Sequence, residues 1–177
     1  HLTGTNSLIT KDNYKAGLQK DNKARLIIKT NNSDATAGIL NARSIDGDGA
    51  GIGGGYQGSG SCSNIIIDSC SVIASSTYGA GIGGSKQCAG SDITINNASV
   101  NASSTGGAGI GGGHHGSCNN ITINSGSVNA KSMHGAGIGS GNYGSCKNIT
   151  INSGFVDAKS KFGAGIGSGH QGSCDNI

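Results

Sequence analysis

The sequence predicts an all-β fold, a single-chain parallel β-helix with three short strands per lap of about 28 residues, and three observations lead there. The pentapeptide Gly-Ala-Gly-Ile-Gly occurs five times, beginning at Gly49, Gly79, Gly107, Gly135 and Gly163, at intervals of 30, 28, 28 and 28 residues. A fixed period in that range marks a solenoid. Within each period Asn120-Ile121-Thr122-Ile123-Asn124 recurs at residues 148–152, 92–96 and, loosely, 64–68, and Ser127-Val128-Asn129-Ala130 recurs at 71–74, 99–102 and 155–158. All three segments alternate apolar with polar or glycine residues, which is the period of a strand and not of a helix.

Composition is consistent with a thin, layered core. The 177 residues include 35 glycines, no proline, no tryptophan and two phenylalanines. Glycine-rich, aromatic-poor chains are often disordered. Here Ile, Val and Ala fall at fixed places in the period, which argues for stacking. The formal charge of +3 is spread without a basic run, so nothing points to nucleic acid. No apolar segment approaches the ~20 residues of a membrane-spanning helix. The chain begins at His1 and stops at Ile177 inside a repeat, which reads as a piece of a longer protein.

Residues 1–48 keep the period loosely and form either irregular early rungs or an N-terminal element. Gly17-Leu18, Leu26 with Ile28, and Leu40 with Ala42 fit the three strand positions. The corner at 31–36 is longer than its later equivalents and should bulge outward. Residues 49–177 are the regular repeats. Their inward set per lap is Ile121 and Ile123, then Val128 and Ala130, then Ala136 and Ile138. Identical side chains from successive laps should stack about 4.8 Å apart.

Inward Ala136 and Ile138 would turn Gly135, Gly137 and Gly139 outward. The mid-strand column Gly51, Gly81, Gly109, Gly137 and Gly165 would then present a flat face free of side chains. Glycine inside a strand weakens it and marks close backbone approach, so this face is expected to pack on a partner sheet, a second copy or sugar rings. The least repetitive corner carries Tyr56, His114, His115, Tyr143 and His170. Variable aromatic and imidazole side chains on a rigid scaffold form a candidate contact surface.

Cys118, Cys146 and Cys174 share one column, Cys62 joins it after a two-residue insertion, and Cys88 lies two residues early. Neighbouring rungs bring Cα atoms near the roughly 4.4–6.8 Å a disulfide needs. The expected pairs are Cys62 with Cys88 and Cys118 with Cys146, leaving Cys174 for a further lap and Cys70 as a buried thiol. Sequons stand at Asn31, Asn97, Asn101, Asn120 and Asn148, the last two on adjacent rungs where two glycans would crowd. Disulfides and sequons together favour an extracellular or cell-surface setting. A catalytic β-helix would need clustered carboxylates or a positioned base. With nine Asp and Glu in the chain and no zinc or phosphate-loop spacing, no enzyme, metal or cofactor is expected.

The lap Gly-Ala-Gly-Ile-Gly-Gly-Gly, Asn-Ile-Thr-Ile, Ser-Val-Asn-Ala resembles the glycine-rich repeats of large bacterial and protist surface proteins. Those repeats are often described as adhesin-like or carbohydrate-binding, and look like right-handed β-helices. The cysteine column departs from them. Three functions are in view: an adhesive or filament-forming solenoid that self-associates or joins other extracellular matrix proteins, a glycan-binding module using the variable corner, and an ice-binding face on Thr94, Thr122 and Thr150.

Overall fold

The computed structural model describes residues 1–20, 24–30, 38–56 and 62–177, and among these there is no helix. The described residues wind through three parallel sheets of six strands each. The first holds Gly4–Thr10, Gly38–Ser44, Ser71–Ser76, Ala98–Ser104, Gly126–Ser132 and Phe155–Ser160. The second holds two-residue strands, from Leu18–Gln19 and Ile52–Gly53 through Ile82–Gly83, Ile110–Gly111 and Ile138–Gly139 to Ile166–Gly167. The third holds Leu26–Lys29, Ile65–Asp68, Gly90–Asn96, Cys118–Ile123, Ser145–Ile151 and Ser173–Asp175.

Register follows the sequence repeat. Ile82, Ile110 and Ile138 face one another across successive laps, as do Val72, Val100 and Val128, and Ile93, Ile121 and Ile149. Ile110, Ile121 and Ile138 are fully buried. Each such side chain contributes roughly 1.5–3 kcal/mol, which lets a core with so few aromatic rings hold. Residues 1–48 enter the same sheets: Leu18 pairs with Ile52, Leu26 with Ile65, and Leu40 with Val72. The corner at 31–36 lies outside the described residues.

Polar columns tie the laps together outside the core. Ser76, Ser104, Ser132 and Ser160 each donate from Oγ to the carbonyl of Gly49, Gly79, Gly107 and Gly135, at 2.6, 2.6, 2.7 and 2.6 Å. Asn152 Nδ2 donates to Asn124 Oδ1 at 2.7 Å, and Asn124 Nδ2 to Asn96 Oδ1 at 2.8 Å. A second amide ladder runs from Asn176 through Asn148 and Asn120 to Asp92. Asp92, Asn120, Asn148 and Asn176 all adopt left-handed φ between 52° and 56°, a region these short polar side chains tolerate.

The glycine column corrects the expectation of an open flat face. Gly51, Gly81, Gly109 and Gly137 are buried and Gly165 is half-buried. A Cβ on Gly137 would meet Gly165 O at 2.6 Å, Lys159 N at 2.7 Å and Ala130 O at 2.8 Å, all backbone atoms. The second-sheet strand is too short for its alternating residues to reach solvent. Its outer side is covered by the ends of the long first-sheet strands, and only glycine fits between them. The column is an internal seam of the solenoid and offers nothing to a partner sheet, a second copy or a sugar ring.

Candidate functional site: an aromatic and imidazole edge

Two corners run side by side up the solenoid and create the site. One precedes the Gly-Ala-Gly segment and carries Tyr14, Asp48, Tyr78, Gly106, His134 and Phe162. The other follows it and carries Tyr56, Lys86, His114, Asn142 and His170. Backbone bonds rivet them together rung by rung: Tyr56 N to Tyr14 O, Lys86 N to Asp48 O, His114 N to Tyr78 O, and His170 N to His134 O, all 2.7–2.9 Å. Side chains that are distant in sequence thereby share one edge.

The rings on that edge touch. Tyr14 stacks on Tyr56 with centroids 5.9 Å apart. Tyr78 meets His114 edge-on at 6.3 Å, and His114 meets His115 edge-on at 4.1 Å. His115 stacks on Tyr143 at 5.0 Å and 10°. Lys86 lies over the Tyr78 ring at 5.0 Å while pairing with Asp48 at 3.3 Å, so its charge is balanced locally. Gly106 matters through its missing side chain. A Cβ there would lie 3.0 Å from the His114 ring, and the ring fills that notch.

Two backbone facts distinguish the edge from an ordinary loop. His115 and Tyr143 both hold φ of 61°, with Gln87 and Gln171 at 63° and 56° in the same column. Left-handed backbone costs a residue with a Cβ roughly 1–2 kcal/mol, and a bulky ring in it is uncommon. Strain of this kind concentrates at functional positions. The turn is closed by Gly116 N donating to Gly113 O at 2.6 Å and by Gly144 N donating to Gly141 O at 3.0 Å. Tyr143 is 51 % exposed and Tyr78 42 %, so the rings are fixed from below and open above.

Polar anchors sit among the rings. Asn142 is 8 % exposed, and neither its Oδ1 nor the buried Nδ1 of His114 has a partner among the described residues. Burial, His115, Lys86 and His134, in that order, push the His114 pKa below the ordinary imidazole value, with Asp48 opposing. His114 therefore stays neutral where ordinary histidines begin to charge. Of the corner residues read from sequence, Tyr56, His114, His115 and Tyr143 lie along this edge, and His170 is exposed further up it. Sequence reasoning missed Tyr14, Tyr78, Asp48 and His134. Their signal was a ring or charge just before the glycine pentapeptide in four of its five copies.

The other sequence candidates lie elsewhere. Cys118 and Cys146 form a disulfide with Cα atoms 4.5 Å apart. Cys62 and Cys88 do not pair, because Cys62 lies opposite Gly90, which occupies the column position of its lap. Cys88 sits two residues before it, at the corner. Cys62 and Cys70 are buried thiols whose pKa values burial raises to about 11. Asn97, Asn101, Asn120 and Asn148 are exposed, the last two inside the amide ladder, and Asn31 lies outside the described residues. Thr94, Thr122 and Thr150 stand in register on the third sheet. Among the described residues no three His, Cys, Asp or Glu converge as metal ligands.

Residues 93–114, 121–142 and 149–170 each match the family described as Beta helix repeat. The matched units and the three-sheet winding agree on a β-helix fold built from repeats. Each matched unit runs from the third-sheet strand around the lap and ends on His114, Asn142 or His170, within the edge. No curated protein and no solved structure matches this β-helix.

Proposed function

We propose that this β-helix is a non-catalytic, extracellular adhesive scaffold that binds glycans along the edge bearing Tyr78, His114, His115, Asn142 and Tyr143. The observation that carries the reading is His115 stacked on Tyr143, both in left-handed backbone. The chain keeps rings where glycine or asparagine would cost less. Planar rings fixed in place offer large contact area at low entropic cost, and tyrosine adds a polar tip. Sugar faces are apolar and their rims hydroxylated, which suits the exposed Tyr78 and Tyr143 rings with their polar hydroxyl tips. Concave pockets that enclose a small molecule work differently. An open ridge rising one rung at a time fits an extended chain of sugars. The Cys118–Cys146 disulfide is compatible with an oxidising setting.

A glycan array with the purified chain tests this directly. Wild type is expected to bind a defined set of oligosaccharides, and Tyr143→Ala with His115→Ala to lose that binding at least tenfold. Circular dichroism should stay unchanged, because the substitutions remove exposed rings from an intact corner. Absence of glycan binding by folded wild type removes the reading.

A further inference from the structure

The Cys118–Cys146 disulfide occupies only part of its column. Cys118 pairs in register with Cys146, and Cys146 pairs in register with Cys174. Their neighbours follow the same order, Asn119 to Lys147 to Asp175. Cys146 therefore has a cysteine on the rung before it and another on the rung after it, in equivalent positions of one parallel ladder. The bonded pair has Cα atoms 4.5 Å apart, within the range a disulfide requires. The second pair shares the rung-to-rung relationship. Three sulfurs and one disulfide leave one thiol, and Cys174 holds it as a half-buried free cysteine.

From this register we infer that Cys146–Cys174 is a second native disulfide and that the bond moves along the column by internal thiol–disulfide exchange. The Cys174 thiol loses its proton to solvent, and its sulfur attacks Cys146 Sγ. A Cys174–Cys146 bond forms, the Cys146–Cys118 bond breaks, and Cys118 leaves as a thiolate that takes a proton from solvent. One disulfide and one thiol are present before and after, so neither oxidant nor reductant is consumed. Stacking in a single column supplies what exchange demands, an attacking sulfur beside the sulfur attacked and a leaving sulfur beyond it.

The column also defines where exchange stops. Gly90 stands opposite Cys118 on the preceding rung and carries no sulfur, which isolates Cys62 beyond it. The move relocates the free thiol from half-buried Cys174 to Cys118, which is 3 % exposed. A half-buried thiol near one end of the described column is thus exchanged for a fully buried one. Burial, with Asp175 adding to it, raises the Cys174 pKa, so exchange is slow at neutral pH and quickens as pH rises.

The test uses the intact chain. Wild type is held at pH 8.5 without oxidant, quenched in acid, alkylated after denaturation, and mapped by non-reducing peptide mass spectrometry. The expected result is both linkages, with alkylation within the Cys118, Cys146 and Cys174 column divided between Cys174 and Cys118. Cys118→Ala, folded in glutathione redox buffer, should move the bond entirely to Cys146–Cys174. Wild type with only Cys118–Cys146 and, of the three column cysteines, alkylation at Cys174 alone overturns the inference, whether or not the variant folds. So does a folded Cys118→Ala protein in which Cys146 and Cys174 are both alkylated.

Discussion

Replacing Gly109 with alanine adds one methyl group and should be among the most damaging small changes available to this protein. The new Cβ would sit 2.7 Å from Gly137 O, 2.8 Å from Lys131 N and 3.0 Å from Ala102 O. All three are backbone atoms, so no rotamer change relieves the clash. Gly137 O also accepts the Ile110 N–H at 3.0 Å, and pushing it away weakens a rung of the second sheet. Overpacking of this kind costs typically 1–3 kcal/mol, and a weakened hydrogen bond adds up to about 1.5. The expected loss is about 2–4 kcal/mol, or roughly 5–15 °C in Tm for a chain of this size. Gly109 does not have positive φ, so the cost is steric and not conformational. Urea denaturation followed by circular dichroism measures it, with exposed Ser127→Ala as the control expected within about 0.5 kcal/mol of wild type. Should Gly109→Ala match the control, the seam is open and the packing described for it is wrong.

Three further expectations follow from other parts of the fold. Ile121→Ala opens a fully buried position between Ile93 and Ile149 and should cost about 2–5 kcal/mol, read by the same denaturation. Asn124→Asp keeps the bond accepted from Asn152 but sets a carboxylate against Asn96 Oδ1; the expected loss at neutral pH is about 0.5–1.5 kcal/mol, against no change for Asn124→Gln if the ladder is irrelevant. His114 has a folded pKa below its unfolded one, so the unfolded chain binds its proton first. Its contribution is therefore complete above about pH 6.5 and is lost as pH falls toward the lower folded value. His114→Asn should flatten that part of the stability–pH curve, and an unchanged slope would contradict the assignment.

The solenoid was legible because stacking converts a period in sequence into a column in space. Ile110 and Ile138, 28 residues apart, had to coincide once each lap closed, and Cys118 with Cys146 followed from the same step. The glycine column was misread by extending strand alternation into a segment whose strand is two residues long, Ile138–Gly139. Alternation says which way a side chain points, not whether solvent or another strand waits there. The expected Cys62–Cys88 pair failed for a related reason, since the two-residue offset noted for Cys88 leaves Gly90 in the ladder opposite Cys62. The functional edge was half visible. His114, His115 and Tyr143 lie in one variable corner, but Tyr78 and Asp48 come from the other corner of the lap. Only the backbone bonds between corners, such as His114 N to Tyr78 O at 2.8 Å, bring them together.

The most direct test of the recognition edge is chemical-shift mapping of the isotopically labelled chain, titrated with the strongest oligosaccharide from the array. Perturbations should cluster at Tyr78, His114, His115, Asn142 and Tyr143 and leave the third-sheet threonines unmoved. Shifts centred instead on Thr94, Thr122 and Thr150 would place recognition on the opposite kind of surface and contradict the role given to the rings.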